Sequence, residues 1–281
     1  MAAYRPQQSR GARGCGGPRL LLGLAFAGFA LFSYFGQHST NPITGEEQHI
    51  AISTEQEVAL GLQAAPEMVS TYGGVSRNID GVRAVQAVGN RIVDRTAAAR
   101  SDYEFTFTLL ADPKTINAFA LPGGPVFITE ALLARLSTEG ELAGVLGHEV
   151  GHVIARHSAE QISKQQLTQG LTGALVLSTY DPNDPSSQGA AQMGMLVANL
   201  VTLKYGRDDE LEADRLGVRL MADAGYDPRA LIAVMKVLSE AGGAGPPEFM
   251  STHPDPGNRA QRIEAAIAAE FPQGLPPGLT P

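Results

Sequence analysis

Histidines 148 and 152 bracket the segment His148-Glu149-Val150-Gly151-His152, and no other stretch constrains this chain as strongly. Residues four apart on a helix stand one turn above each other on one face, so both rings can reach a common ion. Glu149 projects beside the pair, within reach of a water held there. Two imidazoles with an adjacent carboxylate suit zinc used to activate water. At this chain's own His and Glu frequencies the pattern arises by accident in roughly one such chain in a hundred. The alternative is a helix with two histidines satisfied by ordinary hydrogen bonds. The surrounding run, residues 138–166, is expected to be that helix.

A catalytic zinc takes three protein ligands and keeps one position open. Candidates for the third lie in Asp208-Asp209-Glu210-Leu211-Glu212-Ala213-Asp214. At 100° per residue, Asp208, Glu212, Arg215, Arg219 and Asp223 share one arc, the expected solvated face. Glu210 and Asp214 fall on the opposite side, among Leu211, Gly217, Val218, Leu220 and Met221. Carboxylates on an apolar face are costly unless a positive group meets them. Glu210 is therefore expected as the third ligand and Asp214 as the acceptor that orients a ligand imidazole, with Glu212 in solvent. A buried salt bridge is the competing account of the two acids.

Other zinc-hydrolase patterns do not fit. A metzincin needs Gly at 155 and His at 158, where Ala155 and Ser158 stand. His157, five residues past His152, would lie about 140° round a continuous helix and is expected to be structural. A deformylase-type site needs a cysteine ligand, and Cys15 is the sole cysteine, which also excludes an intramolecular disulfide. An aminopeptidase-type glutamate nineteen residues past His152 would fall on Leu171.

Arg5, Arg10, Arg13 and Arg19 form an acid-free basic start; without them the chain keeps 17 basic against 29 acidic residues. That acidic body argues against nucleic acid as a partner, since phosphate contacts need clustered Lys and Arg. Residues 20–35 carry no charge, and the first after them is Glu46. Sixteen helical residues reach about 24 Å, short of a ~30 Å hydrocarbon layer unless neutral neighbours join. An uncleaved membrane anchor at 20–36 is expected, with the basic tail 1–19 in the cytoplasm and the rest beyond the membrane. A cleaved signal segment is the alternative.

Asn41-Pro42-Ile43-Thr44-Gly45 reads as turn chemistry within a linker, 37–52. Ser53 with Gln56 forms a capping-box signature for a helix to about Ala65. A second helix is expected over 80–99, then a half-buried strand over 103–109. Asn117-Ala118-Phe119-Ala120, the turn Leu121-Pro122-Gly123-Gly124-Pro125 and Val126-Phe127-Ile128-Thr129 read as two tightly joined strands. A short helix at 130–136 precedes the motif helix. The apolar residues 170–202 suggest a helical hairpin or lid. Asp227-Pro228 opens a further helix, and a last one is expected at 258–270. The Pro/Gly-rich tail 271–281 is expected to be disordered.

These residues together resemble the HtpX/OMA/CAAX-prenyl-endopeptidase group of membrane-associated zinc metallopeptidases, and within it the compact periplasmic LoiP/BepA-like branch. The resemblance covers roughly 41–265. It rests on the 41–45 segment, on Asn117-Ala118-Phe119-Ala120, on His148-Glu149-x-x-His152 continuing to Arg156-His157, on Glu210-x-Glu212-Ala213-Asp214, and on His253-Pro254 followed by Arg259. It implies an α+β, mostly helical fold of minigluzincin type, residues 53–270, with a small antiparallel sheet against the zinc helix. It implies one zinc per chain on His148, His152 and Glu210, and Glu149 as general base. Two features depart from the group: a single convincing span, and no helical-repeat domain in this sequence.

The activity implied is endopeptidase cleavage of misfolded or membrane-associated proteins outside the cytoplasm, in protein quality control. Asn117, Ala118, Phe119 and Ala120 would hold an extended substrate as an added strand; a plain hairpin arm is the other reading. His253 and Arg259 would steady the oxyanion, or His253 would close zinc's open position as a latch. The expected location is a bacterial inner membrane with the protease facing the periplasm. A mitochondrial inner-membrane protease and a zinc-stabilised scaffold without turnover are the alternatives.

Overall fold

The fold begins with a helix that outlasts its apolar run. A computed structural model describes residues 16–179, 205–241, 247–254 and 257–281. Two compact units emerge: residues up to Gly36 with those from Gln165 to Thr202, and Gln37–Lys164 with Leu203–Pro281. In the first, α1 (Gly16–Gly36) is 21 residues long, about 32 Å at 1.5 Å per residue. That length matches a bilayer core or a signal segment, although it is reached only by including Arg19 at the start of the apolar run. The window Arg19–Gly36 has a mean hydropathy of 1.5. The expected hairpin or lid at 170–202 lies mostly outside the described residues, as do most of the basic tail and Cys15.

The second unit opens on a hairpin where a linker was expected. Strands β1 (His38–Thr40) and β2 (Glu47–His49) pair antiparallel. The Asn41 side chain accepts from the amides of Ile43 and Thr44, folding the turn chemistry into a tight loop. Ser53 then caps α2 (Thr54–Thr71) with the reciprocal Gln56 bonds of a capping box. The helix continues past Ala65 to Thr71. Next, α3 (Ile79–Arg95) buries Val85, Val88 and Ile92, one face at helical spacing. A 3-10 turn, Ala97–Arg100, follows.

Strands β3 (Thr106–Leu110), β4 (Ala118–Ala120) and β5 (Pro125–Thr129) form one sheet in the order β3-β5-β4. The turn between β4 and β5, with Gly123 and Gly124 at positive φ, makes that pair antiparallel as expected. β3 adds to the other side of β5 in parallel, so the sheet is mixed rather than wholly antiparallel. β5 is buried throughout, as a strand covered on both faces must be. One face packs against α3 and α5; the other holds Tyr72, Leu110, Phe119 and Phe127 against α2. β4 is a sheet edge.

After α4 (Glu130–Leu133), α5 (Glu139–Ile154) is buried along nearly its whole length, and α6 (His157–Thr179) follows a break at 155–156. One expected helix is thus two. Beyond them lie α7 (Arg207–Asp223), α8 (Ala230–Glu240), the short α9 (Glu248–Thr252) and α10 (Arg259–Glu270). The tail is held in place, contrary to its composition. Thr280 bonds with the backbones of Gly225 and Asp227, and the Pro281 carbonyl accepts from Gly140 at the start of α5. Backbone hydrogen bonds do this work, and a Pro/Gly-rich composition does not reveal them.

Candidate metal centre

Four polar side chains converge on the face where α5 meets α7. The helices approach closely because small residues line the contact. A Cβ on Gly151 would stand 3.1 Å from the Ala213 carbonyl, and one on Gly217 would stand 3.4 Å from the His148 nitrogen. This approach sets Glu210 and Asp214, both buried on α7, against the rings of α5. His148 Nε2 and His152 Nε2 are 3.0 Å apart. Glu210 places Oε2 3.4 Å from His148 Nε2 and Oε1 3.4 Å from His152 Nε2. His253, just past α9, brings Nδ1 to 3.3 Å from His148 Nε2 and 3.0 Å from Glu210 Oε1.

These donors lie within 4.8 Å of one another and are all buried. A tetrahedral zinc with bonds of about 2.0–2.1 Å separates its ligand atoms by ~3.3 Å. The neighbouring spacings of 3.0 to 3.4 Å, taken over both Glu210 oxygens, are close to that value. Charge agrees. Glu149, Glu210 and Asp214 are three buried carboxylates, against one buried guanidinium, Arg259. A divalent cation would balance the remainder. Both oxygens of Glu149 lack a hydrogen-bond partner among the described residues, although the group is fully buried. His253 Nε2 lies 3.5 Å from Glu149 Oε1, beyond good hydrogen-bond distance. Such orphaned acceptors inside a protein call for a missing partner.

The rings are held from behind. Asp214 Oδ1 is 3.0 Å from His148 Nδ1. Arg259, at the start of α10, donates to both oxygens of Asp214 at 2.7 and 2.8 Å and pairs with Glu210 at 3.2 Å. The guanidinium is thus engaged with two buried acids, and its Nη2 also stands 3.1 Å from each His148 ring nitrogen. Burial and Arg259 push the His148 pKa down, but Asp214 and Glu210 outweigh them and raise it to about 9. Burial holds His152 well below its ordinary value. Burial alone would raise the Glu210 carboxyl, yet the three histidines bring it far below the carboxylate range.

Two residues stand elsewhere than the helical wheel implies. The wheel leaves His157 aside and places Glu212 in solvent. Instead His157 Nδ1 lies 2.8 Å from His152 Nδ1, and Glu212 Oε2 lies 3.3 Å from His157 Nε2. The break at Arg156, a non-glycine residue with φ 60°, redirects the chain and brings His157 back onto the ring. Tyr205 was not anticipated either. Its ring stacks on His152 with centroids 4.1 Å apart, and its hydroxyl lies 3.0 Å from Ser158.

Asn117, Ala118, Phe119 and Ala120 lie along or just before the edge strand, beside α5. The Asn117 amide donates to the Tyr72 hydroxyl at 3.0 Å and to Glu248 of α9 at 3.2 Å. The Phe249 amide donates to the Ile116 carbonyl. The segment carrying His253 is therefore tied to the start of β4.

Residues 82–267 match the family model described as peptidase family M48. The chain is 31% identical over 248 residues to the mitochondrial metalloendopeptidase OMA1 of Schizosaccharomyces pombe, covering 87% of this chain and 70% of that one. It is 33% identical over 180 residues to the beta-barrel assembly-enhancing protease of Escherichia coli (strain K12), covering 62% and 36% respectively. Against the mitochondrial metalloendopeptidase OMA1 of Bos taurus it is 30% identical over 276 residues, covering 92% and 50%. The chain thus spans half or less of the latter two relatives.

Proposed function

The chain belongs to peptidase family M48 and is a metalloendopeptidase; from that premise we propose that it uses zinc, one ion per chain, to cleave extended polypeptides. The observation that carries this reading is the convergence of His148, His152 and Glu210 near tetrahedral spacing beside a buried Glu149 whose oxygens have no hydrogen-bond partner among the described residues. Zinc bound there would polarise the scissile carbonyl and acidify the attacking water.

Glu149 takes the water's proton and returns it to the leaving amine. Neither of its oxygens has a hydrogen-bond partner among the described residues, which suits that task. Asp214 orients His148 through Nδ1, and Arg259 keeps Asp214 ionised while pairing with Glu210. The β4 edge holds substrate as an added antiparallel strand. His253 closes the fourth corner of the donor set, so this conformation is latent, and substrate requires α9 to move. Glu248, bound to Tyr72 and Asn117, secures that latch.

We place α1 as a single-pass anchor, with the peptidase on the periplasmic face of a bacterial inner membrane and a role in protein quality control. Mitochondrial names among the relatives keep an inner-membrane mitochondrial site in view, and fractionation separates the two. Replacing Glu149 with Gln tests the core of the reading. The expected result is one zinc per chain by metal analysis and no cleavage of casein; retained cleavage rejects Glu149 as base.

A further inference from the structure

His157 and Glu212 belong neither to the donor set nor to the base, yet His157 touches His152 and Glu212 touches His157. We infer that they form a hydrogen-bond relay that fixes the tautomer and orientation of His152, making them positioning residues for the metal. The inference rests on the reading of His152 as a ligand.

The direction of the relay follows from donor and acceptor chemistry. A neutral imidazole carries one N–H, and the nitrogen that binds a metal must be bare. His152 Nε2 faces His148 and Glu210, so its proton belongs on Nδ1. That nitrogen lies 2.8 Å from His157 Nδ1, which must then accept. The His157 proton therefore sits on Nε2, 3.3 Å from Glu212 Oε2. An ionised carboxylate only accepts, so the far end agrees. The reverse arrangement would put a proton on His152 Nε2, among the metal donors, and set a bare His157 Nε2 against a carboxylate. Glu212 thus selects the metal-ready tautomer from two bonds away.

The backbone is shaped for this contact. On a continuous helix His157 would point about 140° away from His152. Arg156 turns the chain through the left-handed region, and its guanidinium is clamped by Glu57 and by the Ile52 carbonyl at 3.2 Å. Tyr103 donates to the other Glu57 oxygen at 3.1 Å. One helix then supplies both orienting acids: Asp214 reaches His148 directly, and Glu212 reaches His152 through His157.

The test measures zinc affinity by chelator competition, and the His152 tautomer by nitrogen-15 NMR of the metal-free full-length protein. Glu212→Ala and His157→Leu are expected to weaken zinc binding about 10–100-fold and to move the His152 proton from Nδ1 towards Nε2. His157→Asn keeps an acceptor oxygen near the Nδ1 position, and is expected to restore most of the affinity and the original tautomer; a purely space-filling role would not distinguish Leu from Asn. Unchanged affinity and tautomer in both Glu212→Ala and His157→Leu would overturn the relay. Zinc retained by His152→Ala and Glu210→Ala would overturn the metal assignment itself, a separable result.

Discussion

The Nδ1 atom of His253 stands 3.0 Å from Oε1 of Glu210. A histidine that only lined the cleft would have no cause to approach a proposed ligand so closely. Here it completes the donor set, with its ring stacked on Phe249 at 4.4 Å. A hydrolytic centre needs that corner open to water. His253→Ala is therefore expected to raise casein turnover several-fold at unchanged zinc content. Glu248→Ala, which cuts the tie to Tyr72 and Asn117, should act in the same direction and more weakly. A drop in kcat for His253→Ala would instead identify an oxyanion donor.

The Arg259 guanidinium meets two buried acids, Glu210 and Asp214, and is itself 2% exposed. Removing one partner from a buried ionic network leaves the other charge uncompensated, at a cost of about 3–5 kcal/mol. Arg259→Met is expected to lose that much in urea unfolding of the metal-free protein. Added zinc should recover part of the loss by offering Glu210 another cation. A loss below about 1 kcal/mol would mean that solvent reaches Asp214.

The metal helix and the ligand helix were legible in the sequence because their signals are local. A four-residue spacing sets His148 over His152, and a helical wheel separates Glu210 and Asp214 from Asp208. The relay was hidden. It depends on a helix break at a non-glycine residue, stabilised by Glu57, 99 positions away. The hairpin at 38–49 was hidden for a similar reason. Its three-residue strands are too short for a period, and its Asn41 side chain reaches the Ile154 carbonyl at the end of α5. The parallel pairing of β3 with β5 follows from which edge β4 leaves available, and no local pattern encodes that.

Protons and metal compete for His148. Its pKa in the metal-free fold is raised to about 9 from an ordinary 6.5. For a raised histidine, the stabilisation is complete below the unfolded value, and it disappears as pH rises through about 9. Zinc must displace that proton, so affinity should climb about tenfold per pH unit between 6.5 and 9 and level off above. Chelator competition across pH 6–10 measures the slope. A flat profile would show that His148 is already neutral in the metal-free protein.

The edge strand gives a positional test. The Asn117 carbonyl accepts from Thr129, and the Leu121 amide donates to Pro125, so the odd-numbered groups face β5. Alternation in an antiparallel pair then turns the amides and carbonyls of Ala118 and Ala120 away from β5, to the edge that no described strand pairs with. A proline at an outward position removes one substrate-facing donor and leaves the ladder intact. Ala120→Pro is expected to raise KM for casein several-fold, with zinc content preserved and Tm little changed. Phe119→Pro should instead lower Tm by breaking a ladder bond. Equal KM for Ala120→Pro and the parent protein would make β4 a plain hairpin arm, with substrate bound elsewhere.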